Sequence, residues 1–159
     1  MRKLVLAALA ASLVLVAAPA ASAKVIVGDA SDNTFVGTNR PDYINGRGGD
    51  DTISGLGAAD LLVGAAGNDD ISGDAGWDFI YGGSGADVVN GGTGGDRLAL
   101  GWGADTADGG AGNDLVLAGA DDGAVDSVDC GESAGDWDVA VVRPNDTAVN
   151  CEQVIRVRT

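Results

Sequence analysis

Residues 82–99 read GGSGADVVN followed by GGTGGDRLA, two nine-residue units with the same arrangement of glycine, aspartate and apolar residues. Working outward from them, the unit repeats without a gap from Gly28 to Leu117, ten times in all. A fixed short period predicts a solenoid, in which the chain winds into stacked coils. We number the positions of each unit as slots one to nine.

Two slots carry most of the pattern, and both predict how a unit folds. Slot one is glycine in every unit except the one that opens at Leu100. Glycines at slots one, two and four favour a tight turn over the first six slots. Slots seven to nine then form a short strand, whose slot-eight side chain points into the core. Slot eight holds Phe35, Ile44, Ile53, Leu62, Ile71, Ile80, Val89, Leu98, Ala107 and Val116, and slot six holds Asn33, Asp42, Asp51, Asp60, Asp69, Asp78, Asp87, Asp96, Asp105 and Asp114.

The repeated G-G-x-G-x-D-x-U-x pattern resembles the RTX repeats of secreted bacterial proteins. This resemblance implies an all-β parallel β-roll with two nonapeptides per coil. It also implies that calcium lies between stacked turns, held by slot-six aspartates and by backbone carbonyls of the glycine turns. The chemistry agrees, because calcium is a hard cation that takes six to eight oxygen ligands.

Carried onto this sequence, the resemblance implies about five or six calcium ions. The implied metal residues are Asp51, Asp60, Asp69, Asp78, Asp87, Asp96, Asp105, Asp114, Gly64, Gly82, Gly91 and Gly109. Three turns depart from the pattern: the first has Ser31 and Asn33, the second has Arg40 and Pro41, and the fourth has Leu56 and Ala58. We expect no good site that uses the first two. Two alternatives stay open: a metal-free solenoid whose aspartates only cap turns, and a disordered Gly/Asp-rich segment.

The N-terminus is typical of a secretion signal. Arg2 and Lys3 precede an apolar run over residues 4–18, and Ala21-Ser22-Ala23 is a small-residue cleavage site. The run is too short to span a membrane, so we expect cleavage after Ala23, an extracellular protein and no membrane insertion. A signal anchor that is never cleaved is the alternative. Residues 24–117 would then be the β-roll, beginning with Ile26 in slot eight of a lead-in strand.

Composition excludes several classes of function. A formal net charge of −15 argues against nucleic acid as a partner, because phosphate binding needs a basic surface. The chain has no histidine, so it has neither a Ser-His triad nor a His-ligated zinc site. We therefore expect no enzyme but a structural, adhesive or calcium-responsive binding protein. The alternative is a secreted polysaccharide-acting β-helix enzyme that uses aspartates.

Residues 118–159 lose the nine-residue register, and we expect a C-terminal β cap. Val125 and Val128 are predicted to add to the core, and residues 138–142 to form a strand. Cys130 and Cys151 are the two cysteines, and in a secreted chain a disulfide between them is expected, with two separate thiols as the alternative. The Cys-Gly and Cys-Glu pairs of this tail are similar to those of small secreted calcium-binding proteins of actinobacteria.

The outward slots seven and nine differ between alternate units. Odd units, counted from Gly28, are mostly polar there, whereas even units are mostly apolar, which predicts an interface. Its residues would be Tyr43, Leu61, Val63, Phe79, Tyr81, Leu115 and Leu117, covered by the C-terminal segment, a second copy or another protein. Trp77 and Trp102 fall in an even and an odd turn, on opposite edges, where we interpret them as turn decoration rather than one sugar-binding platform.

Overall fold

The computed structural model describes residues 22–119, 122–131 and 135–157, which form fifteen β-strands. Most of the predicted signal, residues 1–21, lies outside the described residues. The described part contains no helix, and so no helix long and apolar enough to cross a membrane.

The strands form two parallel sheets between which the chain alternates. The even sheet takes its strands from the even units and from both ends: β1 Val25–Val27, β3 Tyr43–Gly48, β5 Leu61–Ala66, β7 Phe79–Ser84, β9 Arg97–Trp102, β11 Leu115–Ala118, β13 Val139–Val142 and β15 Gln153–Arg156. The odd sheet contains β2 Thr34–Thr38, β4 Thr52–Leu56, β6 Asp70–Ser72, β8 Val88–Thr93, β10 Thr106–Ala111, β12 Ser127–Asp129 and β14 Thr147–Val149.

Strand register confirms the predicted β-roll with two nonapeptides per coil. In the even sheet Ile44 pairs with Leu62 and Leu62 with Ile80, and in the odd sheet Ile53 pairs with Ile71. Each residue therefore lies beside its equivalent two units later. The lead-in strand is confirmed as well, since Ile26 pairs with Ile44.

The core lies between the two sheets and consists of the inward slot-eight side chains. From Ile44 to Val116 every slot-eight residue is at most 1 % exposed. Leu100, in slot one, is also fully buried and adds to the same core. Burying each such Leu or Ile side chain contributes about 1.5–3 kcal/mol, so the regular ladder is the main apolar contribution to stability.

The C-terminal segment continues both sheets with coils of unequal length. The Thr106–Ser127 and Leu115–Val139 pairs extend the odd and even sheets, and β14 and β15 follow. Val128 is buried as predicted, but the prediction for Val125 is wrong, because this side chain precedes Asp126 and is 51 % exposed. The predicted Cys130–Cys151 disulfide is confirmed and links the chain just after β12 to the chain just after β14.

The apolar face of the even sheet is left partly exposed by the described chain. Leu61, Phe79, Tyr81 and Leu117 are between 41 and 47 % exposed, and the other predicted interface residues, Tyr43, Val63 and Leu115, are half-buried. Because the described C-terminal strands stack at the end of the roll, they do not cover this face. The prediction that the C-terminal segment covers it is therefore not met in the described residues.

Candidate metal centre

The slot-six aspartates form two buried columns, one at each edge of the roll where the turns stack. Each is followed by an outward slot seven and an inward slot eight, so strand alternation directs the slot-six side chain inward as well. From Asp51 to Asp114 the slot-six residues are at most 3 % exposed. Buried carboxylates at this density need partners, because removing a charge from water is costly.

One carboxylate oxygen of each aspartate is bound within the roll. The backbone N–H of Asp60 donates to Asp78 Oδ1 at 2.7 Å, and that of Asp78 donates to Asp96 Oδ1 at 2.8 Å. In the other column the N–H of Asp69 donates to Asp87 Oδ1 at 2.9 Å. Each coil thus donates to the carboxylate of the next coil, and this bond repeats along both columns.

The second oxygen, Oδ2, is buried and has no hydrogen-bond partner in eight of these carboxylates. They are Asp51, Asp60, Asp69, Asp78, Asp87, Asp96, Asp105 and Asp114, the same eight aspartates that the sequence singled out. Buried polar atoms are nearly always paired, and a native group that is not paired often marks an ion or water site. The two columns therefore offer a run of unsatisfied anionic oxygens to a cation.

Burial also shifts the protonation of these groups. Desolvation raises the pKa of Asp78 and Asp114 to about 7 and that of Asp60 and Asp87 to about 6, with neighbouring carboxylates adding to the shift. Hydrogen bonds from the backbone N–H of the preceding coil act in the opposite direction and stabilise the charged form. Without a cation, the columns therefore hold their negative charge poorly at neutral pH.

Glycine at slot one provides space beside the carboxylate, which differs from the conformational role predicted for it. Gly64 is outside the left-handed region, as are the equivalent Gly82, Gly91 and Gly109. A Cβ atom added at Gly64 would lie 2.3 Å from Asp69 Oδ2 and 2.7 Å from the Gly82 carbonyl oxygen. At Gly64 the unsatisfied oxygen and the neighbouring coil therefore occupy the space of a side chain, whereas the unit of Asp105 has the buried Leu100 in slot one.

Slots two and four are the positions that need a left-handed backbone. In one turn Gly83 and Gly85 both have φ of +127°, and a Cβ atom on either would lie 2.0 Å from a backbone carbonyl oxygen of the preceding coil, that of Ala65 or Gly67. The stacked turns thus bring backbone carbonyls and slot-six carboxylates to the same edge.

In the second turn, both oxygens of the slot-six carboxylate have hydrogen-bond partners. Asp42 Oδ2 accepts the N–H of Thr38, and Asp42 Oδ1 accepts the Thr38 hydroxyl at 3.2 Å. In the first turn Asn33 occupies slot six and Asp29 N–H donates to its Oδ1 at 3.4 Å. In these two turns the side-chain oxygens are thus bound by nearby protein donors, whereas in the fourth turn, which also departs from the repeat pattern, Asp60 keeps an unsatisfied Oδ2.

Four acidic residues that the sequence analysis did not assign extend the columns beyond the repeats. Asp105 N–H donates to Asp126 Oδ1, Asp114 N–H to Asp138 Oδ1, and further steps reach Asp146 and Glu152. The signal is present in the sequence as an acid two residues before each inward apolar residue, for example Asp126 before Val128. A nine-residue period does not find this spacing, because the coils after the repeats differ in length.

The residues present fit a calcium ion. Within the described residues no three acidic, histidine or cysteine side chains cluster as a metal site. A cation at these edges would therefore be held by stacked carboxylates together with turn carbonyls. An all-oxygen donor set of this kind suits calcium.

Comparison with known proteins agrees with this geometry. A sequence model of the RTX calcium-binding nonapeptide repeat matches the chain four times, at residues 27–62, 54–89, 81–116 and 90–123. No curated protein matches the chain. The four matches together cover more than half of the 159 residues and contain all eight aspartates with an unsatisfied oxygen. The chain belongs to the RTX calcium-binding nonapeptide repeat family.

Proposed function

We propose that this chain is a secreted calcium-binding β-roll whose folding is driven by calcium, and that it serves a structural, adhesive or calcium-responsive role outside the cell. The observation that carries the proposal is the set of eight buried Oδ2 atoms that lack a partner. Calcium supplies the positive charge that these carboxylates need when it binds, and the slot-six aspartates and turn carbonyls hold it.

The positions of these groups support calcium-driven folding. Successive carboxylates in a column lie one coil apart, about 4.8 Å, so their charges repel one another in a poorly solvated edge. The apolar core consists of one or two inward side chains per strand, which gives little to offset that repulsion. Binding free energy then becomes folding free energy, as in other small proteins whose metal site does not exist in the unfolded chain.

The test is a calcium titration of the purified chain, followed by far-UV circular dichroism and by calorimetry. We expect a strand signal that appears with calcium and disappears in chelator, with several ions bound per chain. Extracellular calcium modules typically have Kd of about 10⁻⁴–10⁻³ M, which sets the range to search. A strand signal of equal strength in chelator would contradict calcium-driven folding, and calorimetry without heat would contradict calcium binding itself.

Secretion is proposed from the signal-like residues 1–23. Expression of the full-length gene should place the protein in the medium with Lys24 as its first residue, as read by N-terminal sequencing. Retention of residues 1–23 on a membrane-associated protein would contradict secretion and favour the uncleaved anchor.

Burial of the slot-six carboxylates supports a binding role over the enzyme alternative. That alternative required aspartates to reach a polysaccharide, whereas Asp51 and Asp87 are each 1 % exposed and bind the neighbouring coil. A hydrolysis screen run beside the calorimetry separates the two functions, since release of reducing sugar would favour the enzyme.

We further infer that the even face is an interface between two copies of the chain. Its apolar columns repeat at the strand spacing, so a two-fold axis would bring like columns together in a self-complementary contact. Phe79→Ser should shift the mass measured by light scattering toward the monomer. Val88→Ser on the odd sheet is the matched control, because Val88 is also exposed and occupies the same slot. A wild-type monomer at high concentration would contradict self-association.

A further inference from the structure

The even-turn edge carries a cleft between two exposed tryptophans. Trp77 is 77 % exposed and Trp137 is 63 % exposed, and together they flank a cleft of about 370 Å³. Gly95 and Asn113 lie between them, Arg97 and Leu115 contribute to its lining, and so do Asp96 and Asp114 of the even column. Large apolar side chains left in solvent on both sides of one cleft suggest a ligand that covers them.

The spacing of the two tryptophan residues along the roll is set by the stacking of the coils. Phe79, Arg97, Leu115 and Val139 are successive neighbours in the even sheet, and Trp77 and Trp137 each lie two residues before the first and last of them. Three strand spacings separate the two tryptophans, which is roughly 14 Å. The cleft is therefore long and open rather than a closed pocket.

Backbone contacts hold each tryptophan in place. Trp77 lies over the glycines of the following turn, since a Cβ atom added at Gly94 would be 3.4 Å from Trp77 Cδ1. The N–H of Trp137 donates to Asn113 Oδ1 at 2.6 Å. Asn113 thus fixes one wall of the cleft, and its amide nitrogen carries two further donors that a ligand could use.

We propose that this cleft binds a short oligosaccharide. A pyranose ring has an apolar C–H face that packs on an indole, and a rim of hydroxyls that needs donors and acceptors. The two indoles supply the apolar surfaces, while Arg97 and Asn113 supply donors between them. A volume of about 370 Å³ lies in the range of small-ligand sites.

Two other ligand classes fit less well. An organic cation needs several aromatic faces within about 6 Å of one charge, whereas these two tryptophans belong to turns three strand spacings apart, roughly 14 Å. Single-stranded nucleic acid also stacks on aromatic side chains but needs a basic groove, and this chain has a net charge of −15.

The test is titration of calcium-loaded protein with chitotriose, cellotriose and trigalacturonate, followed by NMR of the three tryptophan indole N–H groups. We expect at least one trisaccharide to shift the Trp77 and Trp137 signals with Kd of about 1 mM or tighter. The Trp102 signal should stay in place, because Trp102 belongs to an odd turn on the other edge.

Variants give an independent readout. Trp77→Ala and Trp137→Ala should each weaken binding about tenfold or more, whereas Trp102→Ala, which removes an equally exposed indole, should not. Circular dichroism establishes that each variant is folded. The proposal is overturned if no trisaccharide shifts the two signals, or if Trp102→Ala weakens binding as much as Trp77→Ala. The outcome does not depend on whether calcium drives folding, since the circular dichroism titration measures that separately.

Discussion

The regular coils between Gly46 and Leu117 and the irregular coils after them use the same bond in different surroundings. In both, a backbone N–H donates to the acidic side chain of the next coil. Among the described residues, however, every carboxylate with a buried, unpartnered Oδ2 lies in the regular part, between Asp51 and Asp114. In the irregular part Asp146 Oδ2 accepts the Arg143 N–H at 2.6 Å, and a disulfide joins successive coils.

This difference separates two requirements that the nonapeptide combines. An acid followed two residues later by an apolar side chain is sufficient to continue the stack, because Asp126 and Asp138 do so in coils of other lengths. Within the described residues, the unsatisfied oxygens occur only in the nine-residue coils. We infer that the regular coils depend on calcium, whereas the C-terminal coils are held by protein bonds.

The largest expected effect is that low pH stabilises the regular coils without calcium, because protonation neutralises their buried carboxylates. Burial raises the pKa of Asp78 and Asp114 to about 7, so the metal-free fold binds more protons than the unfolded chain between about pH 4 and pH 7. Its stability is therefore present at low pH and is lost as pH rises through 7. In chelator the strand signal should increase from pH 8 to pH 5, as measured by circular dichroism.

With calcium the direction reverses, because protons then compete with the cation. The calcium concentration at half-maximal folding should be higher at pH 5.5 than at pH 8. A metal-free strand signal that falls on acidification would show that carboxylate repulsion is not what opposes folding.

The next largest effect is the loss of a slot-eight side chain, which is compared between the two regions. Leu98 is fully buried, so Leu98→Ala should lower the free energy of unfolding in calcium by about 2–5 kcal/mol. Val154 occupies the equivalent position in the last strand but is 38 % exposed, and Val154→Ala should cost about 0.5 kcal/mol or less. Urea denaturation in saturating calcium measures both. Equal losses would mean that the last coil is as well packed as the middle of the roll.

The disulfide should matter for stability and not for calcium. Cys130 and Cys151 are 21 residues apart, and replacing both with serine should lower the free energy of unfolding by about 3 kcal/mol through the freed loop. Calcium stoichiometry should stay the same. A loss of bound ions in this variant would place a metal site in the C-terminal coils.

The smallest expected effect comes from removing a single negative charge in each region. Asp78→Asn keeps an oxygen for the Asp60 N–H but removes the negative charge beside the unsatisfied position. It should reduce bound calcium by about one ion per chain, in calorimetry, because charge in the ligand set tunes calcium affinity. Asp138→Asn is the matched control and should leave the stoichiometry unchanged. Equal reductions would extend the metal column into the irregular coils.

The fold of the repeats could be predicted because each feature recurs with one period. Slots six and eight are visible in the spacing of Ile44, Asp51 and Leu62, whereas the two-unit coil was implied by the resemblance to the RTX repeats. The C-terminal coils could not, since their lengths differ and only the spacing of acid and apolar residue persists. The exposure of Val125 and the spatial role of Gly64 depend on neighbouring coils, which spacing alone does not specify.

The pairing of the two tryptophans was missed for the same reason. The same Trp-Asp dipeptide precedes two strands of the even sheet, as Trp77-Asp78 and as Trp137-Asp138. A longer coil lies between them, so they do not occupy the same position of the nine-residue period. Aligning the coils on each Asp and the residue before it, rather than on the nine-residue period, would have predicted both tryptophans at the same edge of the roll.

The amide-to-carboxylate bond also determines where the stack stops. A lattice of identical coils has no inherent length, and an open end would accept another molecule, as exposed sheet edges do. Here the Oδ1 atoms that begin the two columns accept N–H groups from Asp29 and Lys24. At the other end Asp146 N–H bonds back to Arg143 at 3.3 Å, and Glu152 closes the even column. At these atoms the two columns end on bonds made within one chain, which opposes their continuation into another molecule.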